Sequence, residues 1–196
     1  IYHVYGLTEA APRVCFLPPE LFDAYPDFVG IPLRSVYVKL MNKSGKECKE
    51  HEDGILYVKG DNVMLGYYKD KKRTHDVLKD GWLCTGDIAV INDAGLIRIK
   101  GRKDDLIIKA GMNIYPAEIE GAMKCDPRVK EVLAYGFPSR FGTQIGIKLV
   151  GDFSSVDDVK KLCIKCLPYY QMPTAIELTN KLSKNGSGKI IRNVFD

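Results

Sequence analysis

Apolar and polar positions change rhythm partway along the chain. Up to about residue 100 they alternate over short runs bounded by turn formers. Val36-Tyr-Val-Lys-Leu40 alternates, Gly54-Ile-Leu-Tyr-Val-Lys-Gly60 is an apolar run between glycines, and Leu96-Ile-Arg-Ile-Lys100 repeats the pattern. Asn42-Lys-Ser-Gly45 and Asn92-Asp-Ala-Gly95 are turn signals between them. Residues 70 to 79 suit one short helix. Short strands at this spacing predict a small β-barrel or sandwich.

From about residue 105 helical spacing joins the strands. Leu106 to Ile114 predicts a strand or hairpin. Pro116 to Cys125 predicts a helix, with proline at its first position and Glu118 and Glu120 near its positive end. Val129 to Phe137 and Ile145 to Val150 predict strands. Ser154 or Ser155 caps a helix running to about Leu167, with Asp157 and Asp158 in its first turn. Ala175 to Leu178 predicts a further strand. The section is α+β, its helices packed on a small sheet. Between the sections stands Gly-Arg-Lys-Asp-Asp at 101–105. Adjacent carboxylates are poor strand residues, so Asp104 and Asp105 predict a solvated joint, with domains at 1–103 and 104–196.

Bulk properties narrow the picture modestly. A chain of 196 residues supports one or two domains, and 45% hydrophobic with 28% charged residues is ordinary for a globular protein. A net charge of +4 does not by itself point to nucleic acid. No apolar run approaches the roughly 20 residues of a transmembrane helix, and no signal peptide is visible. Ile1 falls inside an apolar pattern, which predicts that more chain precedes it. Of the six cysteines, only Cys163-Ile-Lys-Cys166 has metal-like spacing. It lies within a helical apolar pattern, so both thiols are expected on the buried face, and no second pair completes a zinc site. Unpaired thiols fit a cytoplasmic location.

Four clusters carry polar or glycine residues that folding alone does not require. Tyr5-Gly-Leu-Thr8-Glu9 joins an aromatic, a hydroxyl and a carboxylate, which suit a base, a phosphate and Mg²⁺. The same residues also suit a strand running into a helix capped by Thr8. Thr85-Gly86-Asp87, after Trp82, offers a carboxylate able to accept two hydrogen bonds, as vicinal ribose hydroxyls require, or an Asx turn. Arg102 presents a permanently charged planar fork beside Asp104, fit for ribose or phosphate oxygens or for a solvated ion pair. Ser183-Lys-Asn-Gly-Ser-Gly-Lys189 delivers a lysine on a loop with two glycines. It lacks the spacing and strand–loop–helix frame of a phosphate loop, and a flexible basic tail is the alternative.

Taken together these clusters, with Gly66-Tyr67-Tyr68, Asp80-Gly-Trp82, Gly101-Arg-x-Asp104, Pro116-x-Glu-Ile-Glu120 and Ser187-Gly-Lys189, resemble the adenylate-forming superfamily. That superfamily includes acyl- and aryl-CoA synthetases and peptide-synthetase adenylation domains. The resemblance covers essentially the whole chain. It implies the β-barrel-like end of a large AMP-binding domain, then a mobile α+β lid hinged at Asp104, together about the C-terminal two-fifths of such an enzyme. It further implies ATP or AMP, Mg²⁺ and coenzyme A as ligands and a carboxylic acid as substrate. By resemblance, Tyr5 stacks on adenine, Thr8 contacts the AMP phosphate and Glu9 holds Mg²⁺. Asp87 takes the ribose hydroxyls beside Arg102, and Gly111 lies along the pantetheine arm. Lys189 bridges carboxylate and phosphate oxygens.

Asp104-Asp-Leu-Ile-Ile-Lys-Ala-Gly-Met-Asn-Ile-Tyr-Pro116 and Ser187-Gly-Lys189 are closer to CoA ligases than to domains that load a carrier protein. The superfamily's Pro-Lys-Thr before the last motif reads Ser183-Lys184-Asn185 here, which alters loop stiffness and keeps Lys189. Its phosphate-binding Ser/Thr/Gly-rich loop is missing, so the chain alone is not expected to adenylate efficiently. Two other readings stay open: a nucleotide- or carrier-binding module without chemistry, and nucleic-acid binding through Lys181, Lys184, Lys189 and Arg192. The last lacks an aromatic platform beside those charges.

Overall fold

A computed structural model describes residues 2–192; Ile1 and the last four residues lie outside the described part. The chain divides into two compact units, Ile1–Lys103 and Asp104–Asp196.

The first unit consists mostly of sheet. β1 (His3–Leu7) turns at Thr8 and Glu9 into β2 (Ala10–Leu17), which pairs on its other edge with β3 (Ile31–Pro32). The helix that Thr8 was free to cap does not form, because the chain folds back as an antiparallel hairpin. The second sheet contains β4 (Val36–Met41), β5 (Gly54–Gly60), β6 (Leu78–Lys79), β7 (Trp82–Ile91) and β8 (Ile97–Arg102). Its order is β4-β5-β7-β6, with β8 on the same edge of β7 as β6. Both sheets are open among the described residues, so the barrel expected from the strand spacing is not closed. A backbone bridge from Gly30 to Ile97 links the two sheets, and their buried side chains share one core. Gly30 has φ +86, and a Cβ there would sit 1.8 Å from the Phe16 carbonyl oxygen. Only glycine permits that contact.

Alternation explains the packing. Along β4 and β5, Val36, Val38, Leu40, Leu56 and Val58 turn inward with Leu83, Ala89 and Ile97, leaving Tyr37, Lys39, Tyr57 and Lys59 on the other face. The short helix lies at α1 (Lys71–Val77), where the Asp70 side chain accepts from the Arg73 amide at 2.9 Å.

In the second unit, β9 (Ile107–Lys109) and β10 (Met112–Ile114) form a hairpin. Its two loop residues, Ala110 (φ 50) and Gly111 (φ 79), both have the left-handed backbone of a tight hairpin turn. α2 (Pro116–Met123) begins with Pro116 at its first turn. β11 (Val129–Ser139) and β12 (Gly142–Gly151) pair antiparallel, and β13 (Ala175–Leu178) adds parallel to β12. A parallel neighbour needs a crossover, and α3 (Val156–Cys166) supplies it. Ser155 caps α3, accepting from the Asp158 amide at 3.3 Å. Ile119, Met123, Ile145, Ile147, Leu149, Val159, Leu162 and Cys163 make the core between helices and sheet. Cys163 is buried and Cys166 half-buried, and both pack against the second unit's apolar core, the side their helical spacing predicts. All six cysteines are free. Among the described residues no helix is long and apolar enough to cross a membrane, and no group of three or more His, Cys, Asp or Glu side chains is placed to hold a metal ion.

Candidate functional site

Asp87 is the centre of the first unit's polar cluster. It sits in the middle of β7, opposite Arg102 at the end of β8. That register aims the guanidinium at the carboxylate. Arg102 Nη1 donates to Asp87 Oδ1 at 3.0 Å and to the Thr85 carbonyl at 3.1 Å. From 82 residues away in sequence, the Tyr5 hydroxyl donates to Asp87 Oδ2. Burial first, and the Asp87 carboxylate second, hold the Tyr5 phenol well above its ordinary pKa. Tyr5 is therefore a proton donor at any physiological pH.

Local backbone shape fixes this arrangement. Gly86 has φ +75, and a Cβ there would approach Arg102 Nη2 to 3.2 Å. Thr85 is buried; its hydroxyl donates to the Leu56 carbonyl at 2.8 Å and accepts from the Asp87 amide at 3.0 Å. Thr85 thus ties β5 to β7 directly behind the carboxylate. The residue pattern gave no functional role to Thr85, whose importance shows only once the two strands are paired.

Asp87 is 8% exposed and already accepts from two side chains. Two carboxylate oxygens offer about four lone-pair positions, so acceptor capacity remains. The Glu9 carboxylate lies at the hairpin turn and accepts from the Tyr67 hydroxyl at 2.8 Å. The Arg73 guanidinium covers the other side of that phenol, 4.0 Å from the ring centroid. Thr8, beside Glu9 in the same turn, is exposed. Tyr5, Asp87 and Arg102 are brought into one cluster, and Glu9 and Tyr67 form a second.

In the second unit Asp104 is exposed in a turn directly after β8. Gly111 occupies the β9–β10 loop with open space around its α-carbon. Lys189 is exposed at the end of a tight loop, not on a loose tail. Asn185 Oδ1 accepts from the Ser187 amide at 3.1 Å, the Ser187 hydroxyl at 2.8 Å and the Lys189 amide at 3.0 Å. The Asn185 amide in turn donates to the Lys189 carbonyl at 2.9 Å, and Lys184 bridges Ile190. Asn185, one of the residues departing from the superfamily pattern, is what shapes this loop.

Arg192 anchors the segment that follows. Its Nη1 and Nη2 donate to Glu120 Oε1 and Oε2 at 2.9 and 2.8 Å, and its Nε pairs with Asp105 Oδ2 at 3.1 Å. Glu120 is buried and also accepts from the Ala134 amide at 3.0 Å. Lys184 pairs with Glu131. Two of the four cations considered for nucleic acid are thus engaged within the fold. A cavity of about 460 Å³ lies beside this anchor, bounded by Asp105, Ile108, Tyr135, Phe137 and Arg192 among others.

Residues 1–68 match the family model described as AMP-binding enzyme. The chain is 36% identical over 194 residues to the long-chain-fatty-acid–CoA ligase of Haemophilus influenzae, covering 97% of this chain and 34% of that protein. It is 36% identical over 192 residues to the 2-succinylbenzoate–CoA ligase of Bacillus licheniformis, covering 96% and 40%. The solved structure of o-succinylbenzoate coenzyme A synthetase from Bacillus subtilis, in complex with ATP and magnesium ion, matches with a TM-score of 0.93 at 31% identity. That match covers 98% of this chain and 40% of the synthetase. The same synthetase has been solved with AMP, and matches equally well. The chain therefore spans between about a third and two-fifths of the length of the relatives it matches.

Proposed function

We propose that this chain is the C-terminal portion of an ATP-dependent acid–thiol ligase that makes an acyl-CoA by way of an acyl-adenylate. The observation that carries the reading is the Tyr5–Asp87–Arg102 cluster, held by paired strands in a chain whose residues 1–68 match the AMP-binding enzyme model. It gathers an aromatic ring, a carboxylate with spare acceptor capacity and a guanidinium, which is what a nucleoside monophosphate requires. Coenzyme A is the acceptor proposed, not a carrier protein, because the curated relatives are CoA ligases.

In this reading Asp87 takes ribose hydroxyls, Tyr5 meets the adenine ring and Arg102 lies beside the ribose. Thr8 contacts the phosphate. Glu9 fits Mg²⁺ as one carboxylate donor, since that ion is commonly held by one or two carboxylates together with substrate phosphates and water. The ion would neutralise phosphate charge. A substrate carboxylate oxygen then attacks the α-phosphorus and pyrophosphate leaves. Lys189, projecting from its Asn185-shaped loop, offsets the charge that builds between the two anions. The thiolate sulfur of coenzyme A next attacks the acyl carbon and AMP leaves, with Gly111 lining the path of the pantetheine arm. Two steps at one nucleotide call for two sets of groups, and a lid turning about Asp104 exchanges them.

The two half-reactions separate these roles. Lys189→Ala in the native protein is expected to suppress pyrophosphate release at least about 10²-fold. Thioester formation from supplied acyl-adenylate should change far less. Equal loss in both steps removes the lysine's role, and near-normal rates in both steps for Asp104→Pro remove the hinge. A native protein that binds AMP by calorimetry yet supports neither step would instead be a binding module.

A further inference from the structure

The outward face of the first unit's larger sheet is a checkerboard of aromatic rings and lysines. Register sets it. Across β4 and β5, Tyr37 stands opposite Lys59 and Lys39 opposite Tyr57; across β7 and β6, Trp82 stands opposite Lys79. Lys39 Nζ lies 4.0 Å from the centroid of the Trp82 ring, and Lys59 Nζ lies 5.9 Å from it. Two ammonium groups gather at one indole. Among the described residues none of Lys39, Lys59 and Lys79 has an ion-pair partner. Tyr37 is 65% exposed, and Lys59 and Lys79 are exposed. The opposite side of the same strands packs into the apolar core, so these side chains form the outward face of the sheet.

Clustering like charges without counter-ions costs free energy that an anion recovers. The breadth of the face, three inter-strand spacings or about 14 Å, suits an extended planar partner. Tyr and Trp carry an apolar body and a polar tip, the composition that settles at the boundary between lipid headgroups and acyl chains. The Trp82 ring is covered by an ammonium at 4.0 Å, which obstructs the free face that a stacking nucleobase needs. We propose that this face docks the protein onto an anionic phospholipid surface, Lys39, Lys59 and Lys79 meeting lipid phosphates and Tyr37 resting at the headgroup level. The inference does not depend on the ligase reading.

Co-sedimentation of the native protein with phosphatidylcholine vesicles, with and without phosphatidylglycerol, tests it. Binding is expected only with the anionic lipid, and it should weaken as salt is raised. A juxtamembrane lysine contributes about 1 kcal/mol, so Lys59→Gln and Lys79→Gln should each weaken binding roughly fivefold. Tyr37→Ala should weaken it further at unchanged thermal midpoint. Lys59→Arg should keep binding. Equal sedimentation with both vesicle types, or affinity unchanged in both glutamine variants, overturns the proposal. So does retention on single-stranded DNA or an acidic peptide without vesicle binding.

Discussion

Arg192 holds more of the second unit than its place near the end of the described chain implies. It satisfies both oxygens of a buried glutamate and reaches the carboxylate beside the joint. Removing it leaves Glu120 with the Ala134 amide as its remaining hydrogen bond shown here. Hydrogen bonds to charged groups contribute about 1.5–3 kcal/mol, so Arg192→Ala should lower the stability of this unit by about 2–3 kcal/mol in urea titration. Pairing it with Glu120→Gln should recover part of that loss, since the buried charge is then gone. A loss under about 0.5 kcal/mol in the single variant would show the pair to be incidental. This clamp was illegible in the sequence, where Arg192 stood out only as one of several basic residues. Glu120 and Arg192 are 72 positions apart, and no spacing rule connects them. The same holds for Tyr5 and Asp87. Each was recognisable in its own short motif, but the phenol-to-carboxylate bond between them needed the paired strands to appear.

Elements with a strong period and clear ends were legible. Gly54–Gly60 and Ala175–Leu178 fold over the residues their pattern marks, because glycines or turns bound them and alternation fixes the buried side. The helix after Ser155 follows its serine cap and its acidic first turn. That cap has a checkable contribution: Ser155→Ala should cost about 1 kcal/mol of the second unit's stability, while Ser154→Ala, one position outside the cap, should cost little. Equal effects would mean the hydroxyl bond to the Asp158 amide is not what starts the helix. Among the longer strands, β2 and β7 escaped the pattern. β2 begins Ala-Ala-Pro-Arg, which lacks both alternation and β-branched residues, yet it pairs on both edges. β7 carries Gly86 and Asp87 in mid-strand, and these suggested a turn where the structure has a continuous ten-residue strand. Its partners β5 and β8 override the local preference.

Across the molecule, each unit buries a thiol at its core. Burial pushes Cys15 in the first unit up to about 12 and, with the nearby Cys166 charge, Cys163 in the second up to about 11, from an ordinary value of 9.0. Both folded values are raised, so the stability these groups contribute is fully present below pH 9 and declines as pH climbs. The loss is complete near pH 11 for Cys163 and near pH 12 for Cys15. One such group gives a slope of at most about 1.4 kcal/mol per pH unit. Urea midpoints between pH 8 and pH 11 should therefore fall, and Cys163→Ala should flatten that fall for the second unit while lowering its starting stability. An unchanged slope in the variant would assign alkaline sensitivity elsewhere.

The occupied state of Asp87 has a consequence for which nucleotides the proposed site accepts. Its carboxylate already accepts from a phenol and a guanidinium, so an arriving sugar either takes the lone-pair positions left over or evicts the phenol. A ribose with both hydroxyls can compensate for the eviction, and the freed ring of Tyr5 becomes available to the adenine. A deoxyribose offers one bond fewer and leaves part of that exchange unrecovered. Buried acceptors discriminate most sharply against analogues that lack the matching donor, so the self-satisfied resting cluster would sharpen the preference for ribonucleotides over their deoxy counterparts.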